Sequence, residues 1–375
     1  MILAKKVRLF PTQEQETKLW QSVGTARFIY NWTLAKQQEN YKNGGKFIKD
    51  NDLRKEITLL KKDELSWLNE VSNNVAKQAV KDACNAFKNF FKGLSAFPKF
   101  KSRKKSKPSF YNDTSKLKVK KSQVLIEKIG WIKTNEQIPK NTKYTNPRIS
   151  FDGKYWYLAV GIEETKPKVK LTKGTIGIDV GIKELAICSD GTKFKNINKT
   201  KTVKKLEKRL KRQQKQVARK YENSKRKVGE NRYQFSKTQN VIKLEKQIKL
   251  LHRRLSNIRN NHLHQVTNTI VKAKPSKIVI ETLNIKGMMK NKHLSKAIAQ
   301  QGLHRLKTYL QYKCELYGIE LVEADKWYPS SKLCSCCGNK KEKLSLSERT
   351  YICEQCGTAI DRDLNAAINL SRYSA

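Results

Sequence analysis

Apolar residues recur every three to four positions from Gln13 to about Tyr41, and again from Val75 to Leu94. In the second run Val75, Ala79, Ala83, Phe87, Phe90 and Leu94 form one stripe, so both runs predict amphipathic helices. Ahead of them, "KKVRLFPT" reads as a short strand stopped by Pro11. From Phe97 to about Lys170 the pattern changes to short alternating runs such as "QVLIEKIGWIK" and "YWYLAVGIEE", separated by Asn, Pro and Gly. A strand divided from its fellows by helices predicts a small β-barrel, residues 1–10 and 96–172, with a helical insertion over 11–95.

"ETKPKVKLTKG" reads as a linker, and a new domain is expected near Gly174. Its opening, "GTIGIDVGIKELAICSDGTKF", predicts two strands, a turn at Ser189-Asp190-Gly191 and a third strand. Two helical stripes follow: Val203, Leu206, Leu210 and Val217, then Val241, Leu244, Ile248, Leu251, Leu255 and Ile258. The polar stretch between them predicts an antiparallel helical hairpin over 201–260. Beyond it come a strand, "KIVIE", a Lys-rich helical region through Tyr317, and another strand, "GIELVEAD". The fold class expected is α+β and multidomain.

Composition narrows the function. The 375 residues hold 80 Lys and Arg against 33 Asp and Glu, a formal net charge of +47 spread along the whole chain. A charge of that size points to a polyanion partner, and its even spread sets it apart from the single basic amphipathic segment of a membrane-surface protein. "KTVKKLEKRLKRQQK" alone has eight basic residues and one acid, which suits phosphate contact as well as a solvated coiled coil. No apolar run reaches membrane-spanning length and "MILAKKVRLF" lacks a signal-peptide core, so a soluble intracellular protein is expected. Cys84, Cys188 and Cys314 are scattered, which suits a reducing compartment.

Four other cysteines give the most specific local signal. Cys334-x2-Cys337, fifteen intervening residues, then Cys353-x2-Cys356 match a four-thiolate structural zinc site, with Gly338 and Gly357 following the knuckles and Cys336 spare. With four sulfur ligands such a zinc has no position left for catalysis.

Carboxylates give the second signal. On a strand, Ile176, Ile178, Val180 and Ile182 share one face, while Gly177, Asp179 and Gly181 share the other. Asp179 flanked by two residues without side chains suits a metal ligand approached closely by backbone, or else a solvated edge strand. Glu281 ends "KIVIE", at the carboxyl end of a strand where sites of open α/β sheets gather. In "DRDLNAAINL" Asp361 is the expected helix cap, leaving Asp363 in the first turn with Asn365 near it to bond whatever Asp363 holds. Asp179, Glu281 and Asp363 form a set able to hold two Mg²⁺ or Mn²⁺ ions about 4 Å apart, the clamp for phosphodiester cleavage. His262-Leu263-His264 superficially matches the histidine pair of rolling-circle nucleases. That pair belongs on a strand, whereas here it continues a helical stripe, where the imidazoles diverge.

With these residues in view, the chain resembles the TnpB family of transposon-encoded RNA-guided nucleases, related to the miniature type V CRISPR effectors. "RLFPTQEQ", "RFIYNWTL" and "FPKFKSRK" resemble the family's N-terminal half. "GIDVGIKELA", "IETLNIKGM", "YPSSKLCSCCG" and "CGTAIDRDLNAAINL" resemble its nuclease half. Thr282, where an acid often follows the glutamate, is a small departure. The resemblance implies a wedge-like barrel with a helical recognition insertion, then a RuvC-like nuclease of RNase H fold over 173–330 and 358–375, with a zinc ribbon over 331–357. It implies Asp179, Glu281 and Asp363 as catalytic acids, and Asn74, Lys77, Gln78 and Lys81 as readers of a short transposon-adjacent motif. Asn74, Lys77, Gln78 and Lys81 lie off the apolar stripe, where a solvated basic face is the competing reading. Implied partners are a guide RNA from the transposon end and double-stranded target DNA, bound by a monomer in a prokaryotic cytoplasm beside the nucleoid. Two other functions fit the sequence: a guide-dependent repressor that binds without cutting, and an RNase H-like transposase, although the latter commonly orders its acids Asp, Asp, Glu.

Overall fold

The computed structural model describes residues 1–140, 142–229, 232–345 and 347–374. The chain divides into two compact units, Met1–Thr165 and Lys166–Ala375. Among the described residues no helix is long and apolar enough to cross a membrane.

The first unit begins with β1 (Ile2–Phe10) and α1 (Gln13–Lys42). Thr12 and Gln15 cap α1 reciprocally: the Thr12 hydroxyl accepts from Gln15 N–H, and the Gln15 side chain accepts from Thr12 N–H. Then come α2 (Asp50–Leu60), a 3₁₀ turn at Ser66–Glu70 and α3 (Asn73–Phe91). The apolar stripe of α3 is buried from Val75 to Phe87, but Leu94 lies beyond the helix end and is exposed. Short strands follow: β2 (Ser109–Tyr111), β3 (Lys118–Lys120), β4 (Gln123–Ile126), β5 (Gly130–Thr134), β6 (Tyr144–Phe151) and β7 (Trp156–Glu163).

These strands make one antiparallel sheet in the order β2-β6-β7-β1-β5-β4-β3. Phe110 of β2 and Val124 and Ile126 of β4 share one core with Val7, Leu9, Ile149 and Leu158, so the sheet curls around its apolar face. Hydrogen bonding does not close it, however. Among the described residues β2 and β3 remain edges, a correction to the barrel expected from the sequence. A bidentate ion pair, Arg148 to Asp82 at 2.8 and 2.9 Å, ties β6 to α3.

The second unit opens with β8 (Thr175–Val180), β9 (Glu184–Cys188) and β10 (Lys193–Lys195), the last two joined through the predicted turn. Then come α4 (Lys201–Asn223), β11 (Lys225–Gly229), β12 (Arg232–Phe235) and α5 (Gln239–Lys272). Helices α4 and α5 pack through Val203, Leu206, Leu251 and Leu255. Their tip is a two-stranded ribbon instead of a plain polar loop, and α5 runs well past Ile258. His262 and Leu263 continue α5; the His262 ring bonds the Lys195 carbonyl at 2.9 Å while His264 stacks on Tyr309 at 4.0 Å, so the two imidazoles serve different partners.

After β13 (Lys277–Glu281) come α6 (Ile285–Met288), α7 (Ser295–Gln301), α8 (Leu303–Tyr317) and β14 (Glu320–Ala324). The cysteine segment carries β15 (Thr350–Ile352) and β16 (Ala359–Asp361), and α9 (Arg362–Ser371) follows directly. The β15–β16 pairing spans the 357/358 boundary expected between the zinc ribbon and the nuclease.

The main sheet has the order β10-β9-β8-β13-β14, with β8, β13 and β14 parallel and β9 and β10 antiparallel. One face packs Ile178, Val180, Ile278 and Ile280 against Leu263, Val266 and Ile270 of α5 and Leu306 and Leu310 of α8. The other face packs Val279 and Ala324 against Leu370 of α9. Both faces are thus covered, as a largely parallel sheet requires.

Candidate functional site

Register brings the first two acids together. Ile178 of β8 pairs with Ile280 of β13, and Asp179 and Glu281 are the next residues on these parallel strands. They leave the sheet side by side on the α9 face, because side chains alternate and Gly177 and Val279, two residues earlier, face that helix.

Gly177 determines how α9 sits. A Cβ at this position would collide with the Ala367 carbonyl oxygen and the Ser371 nitrogen, so the backbone of α9 rests on the strand where no side chain intervenes. The close backbone approach that the Gly-Asp-Gly pattern suggested is made by the chain's own last helix. Gly181 has no such role, since a Cβ there would meet only ordinary contact.

The N-terminal end of α9 carries Asp363 toward the same place. The Asp361 carboxylate accepts from the N–H groups of Asp363 and Leu364, both at 3.1 Å, so it caps the helix as expected. It also pairs with Lys193 at 3.3 Å. The Asp363 carboxylate takes no part in the cap; the Arg349 guanidinium lies 4.0 Å from its Oδ1, and its charge reaches Asp179 and Glu281.

The three acids share one electrostatic environment. Burial pushes the Asp179 carboxyl well above the usual range, with Glu281 and Asp363 adding repulsion. Glu281 is pushed up to about 7, by burial first, although the Val180 N–H donating to its Oε1 at 3.3 Å opposes the rise. A set of half-buried carboxylates that repel one another is one that a divalent cation would stabilise, and an all-oxygen donor set suits Mg²⁺ or Mn²⁺.

The sulfur site is separate. The Sγ atoms of Cys334, Cys337, Cys353 and Cys356 all lie within 4.8 Å of one another, with Cys334–Cys356 at 3.6 Å and Cys337–Cys353 at 3.5 Å. Four sulfurs about 2.3 Å from a tetrahedral centre would be about 3.8 Å apart, so the cluster fits a structural zinc. The Thr358 hydroxyl, 3.1 Å from Cys356, holds that thiol down to about 6, favouring the thiolate a metal needs. Cys336 lies outside the cluster and is exposed.

The link between the two sites is one that sequence reading missed. Asn365 does not attend Asp363, contrary to expectation. Fully buried, it accepts from Ser335 N–H at 2.9 Å and donates to the Leu333 carbonyl at 2.6 Å, thus clasping the first knuckle. Asn369 donates to the carbonyls of Ser330 and Leu333 at 2.8 and 2.7 Å, and Arg372 donates to the Ser335 carbonyl. One signal was available: Asn365 and Asn369 are i and i+4 on an otherwise apolar helical stripe, where unpaired amides would be costly.

Asn74, Lys77, Gln78 and Lys81 lie in the first unit, along α3. Asn74 donates to Glu127 at 3.1 Å and Gln78 to Asp82 at 2.8 Å, whereas Lys77 and Lys81 are exposed.

Comparison with known proteins agrees with this architecture. A family model described as "Cas12f1-like, TNB domain" matches residues 304–370, and one described as "Probable transposase" matches residues 157–292. A third, "Helix-turn-helix domain", matches residues 1–46, where this structure has β1 and the single helix α1. A solved Cas12f1 chain, from a cryo-EM complex with sgRNA and target DNA, shares the fold with a TM-score of 0.60 at 14% identity, over 96% of this chain and 82% of that one. The Escherichia coli K12 protein named "Putative RNA-guided DNA endonuclease InsQ" is 30% identical over 384 residues, 98% of this chain and 91% of its own length. A Streptomyces pristinaespiralis protein named "Putative RNA-guided DNA endonuclease" is 32% identical over 372 residues, 98% of this chain and 88% of its own. With nearly its whole length so matched, the chain belongs to the TnpB family.

Proposed function

We propose that the protein is an RNA-guided DNA endonuclease of a transposable element, cutting target DNA beside a short transposon-adjacent motif. One observation supports this most: Asp179 and Glu281 end adjacent parallel strands, and both feel the charge of Asp363 from the start of α9. The strand order, with acids on adjacent parallel strands, supports reading the second unit as a RuvC-like nuclease of RNase H fold. The curled sheet and helices of the first unit correspond to a wedge and a recognition lobe, and the cysteine segment to a zinc ribbon.

In this reading the three acids hold two Mg²⁺ ions, or Mn²⁺, and serve as the catalytic residues. Bound there, the ions would supply Lewis acidity for phosphodiester hydrolysis. The Val180 N–H fixes the Glu281 carboxylate, and Asp361, by capping α9, leaves Asp363 free to act as a ligand. Lys193 and Arg349 place positive charge beside the acids, where a phosphate must approach.

Guide RNA and target DNA are the proposed partners. The charge of +47 is in keeping with a structured RNA plus a heteroduplex, and recognition through backbone phosphates should weaken steeply with salt. Lys77 and Lys81 are free to reach the motif, while Asn74 and Gln78 would first exchange the partners they have.

The test is cleavage of plasmid DNA by protein carrying its copurified RNA, with Mg²⁺ supplied. Asp179→Ala is expected to abolish cutting and leave RNA and target binding nearly intact. Cutting at the wild-type rate would show the site to be elsewhere. Joined strand-transfer products from the wild type would point to a transposase, and binding without any cutting to a repressor.

A further inference from the structure

Trp327 is 80% exposed, the highest value among the large apolar side chains of the described residues. Its indole is also the only one in residues 166–375. A lone exposed apolar side chain is ordinary on any surface, but the support beneath this one is not. The Trp327 backbone N–H donates to the Asp325 carboxylate at 2.7 Å. Asp325 N–H in turn donates to the Tyr373 hydroxyl at 3.2 Å. On the other side, Tyr328 packs edge-on against Tyr373 at 4.8 Å, and its hydroxyl donates to the Asn369 carbonyl at 3.1 Å. The residues flanking the indole are thus pinned to α9 and its C-terminal end, while the ring is held out in water.

Its place in the sheet gives that arrangement a meaning. Ala324, the last residue of β14, pairs directly with Glu281, and Trp327 is three residues further along. Three residues extend at most about 11 Å, so the ring stands within a few nucleotides' reach of the acid cluster. The Lys326 ammonium lies 4.7 Å from the ring centroid, which adds a phosphate-seeking charge to the apolar surface.

We infer that Trp327 is a stacking platform for an unpaired base of the DNA strand presented to Asp179, Glu281 and Asp363. A π-face accepts any base, so the contact would orient the strand and set its register without reading its sequence. Trp327 is a positioning residue in this role and takes no part in the chemistry. The inference rests on the nuclease reading for its consequence and on the loop geometry for its contact.

The experiment uses full-length protein with its RNA. In the Asp179→Ala background, a single-stranded oligonucleotide is expected to quench an emission component that Trp327→Phe removes, and an oligonucleotide of abasic sites should leave that component unchanged. In the active protein, Trp327→Ala is expected to lower kcat/KM on a single-stranded substrate roughly 5- to 150-fold, the range of one base–aromatic stack, mainly through KM. Trp327→Phe should recover most of the loss, with zinc content and melting temperature unchanged. Wild-type kinetics in Trp327→Ala, or emission indifferent to bases, would overturn the inference. Should the wild type itself fail to cut, the nuclease reading fails and the emission measurement alone decides whether the platform exists.

Discussion

Gly177 lies directly beneath Ala367, so close that a methyl group on the glycine would occupy the space of the alanine's carbonyl oxygen. That contact sets the height of α9 above the sheet, and with it the position of Asp363 relative to Asp179 and Glu281. Gly177→Ala is therefore expected to destabilise the second unit by about 1–3 kcal/mol and to abolish DNA cleavage. Gly24→Ala is the control: a Cβ built there meets nothing within 4 Å beyond its chain neighbours and its own helix's backbone, and the residue is inside α1, where alanine is the better helix former. Denaturant unfolding and plasmid cleavage of the two variants make the comparison.

Protonation of Glu281 gives a pH dependence of defined sign. Its carboxyl stands at about 7 against an ordinary 4.5, chiefly because burial disfavours the charge. Between these values the folded chain keeps a proton that the unfolded chain has released, so stability of the metal-free protein falls as pH rises through this window. The loss is at most about 3 kcal/mol. Urea titrations at about pH 5 and about pH 7.5 should show it, with Mg²⁺ reducing the difference and Glu281→Gln removing this part of it.

Zinc loss should be felt at the acid cluster. Cys353→Ser is expected to lower bound zinc from about one per chain toward zero and to reduce the melting temperature, as for any site whose metal contributes folding energy. Cys336→Ser should keep its zinc, since that thiol is outside the cluster. Elemental analysis of the purified variants checks both.

Asn365→Ala separates the clasp from the metal. It leaves the buried Ser335 N–H without its partner, at about 1–3 kcal/mol, while the Leu333 carbonyl keeps the bond from Asn369. Zinc should remain bound while cleavage falls at least about tenfold, because a shift of about 1 Å in Asp363 is enough for a loss larger than that. Full activity with zinc retained would show that α9 holds its position without the clasp.

How much of this was legible beforehand depends on where the information resides. The Gly-Asp-Gly strand, "KIVIE" and the capped "DRDLNAAINL" helix are local patterns, and each predicted element is present. The four cysteines were legible because zinc ligation imposes spacing on the chain itself. Asn365 was misread because its partners, Leu333 and Ser335, are about thirty residues away, and nothing local distinguishes an amide that serves a ligand from one that serves a loop. The open edges at β2 and β3 are likewise non-local, since closure depends on whether two distant strands meet. Strands β11 and β12 bury nothing, so no apolar alternation announced them.

That last feature matters for engineering. Every described residue of β11 and β12 is exposed, and α4 and α5 meet below them through side chains of their own. Residues 224–236 are accordingly a natural place to splice: a short turn there would give a smaller tool, and a grafted cargo protein would have a tether that leaves the hydrophobic interior undisturbed.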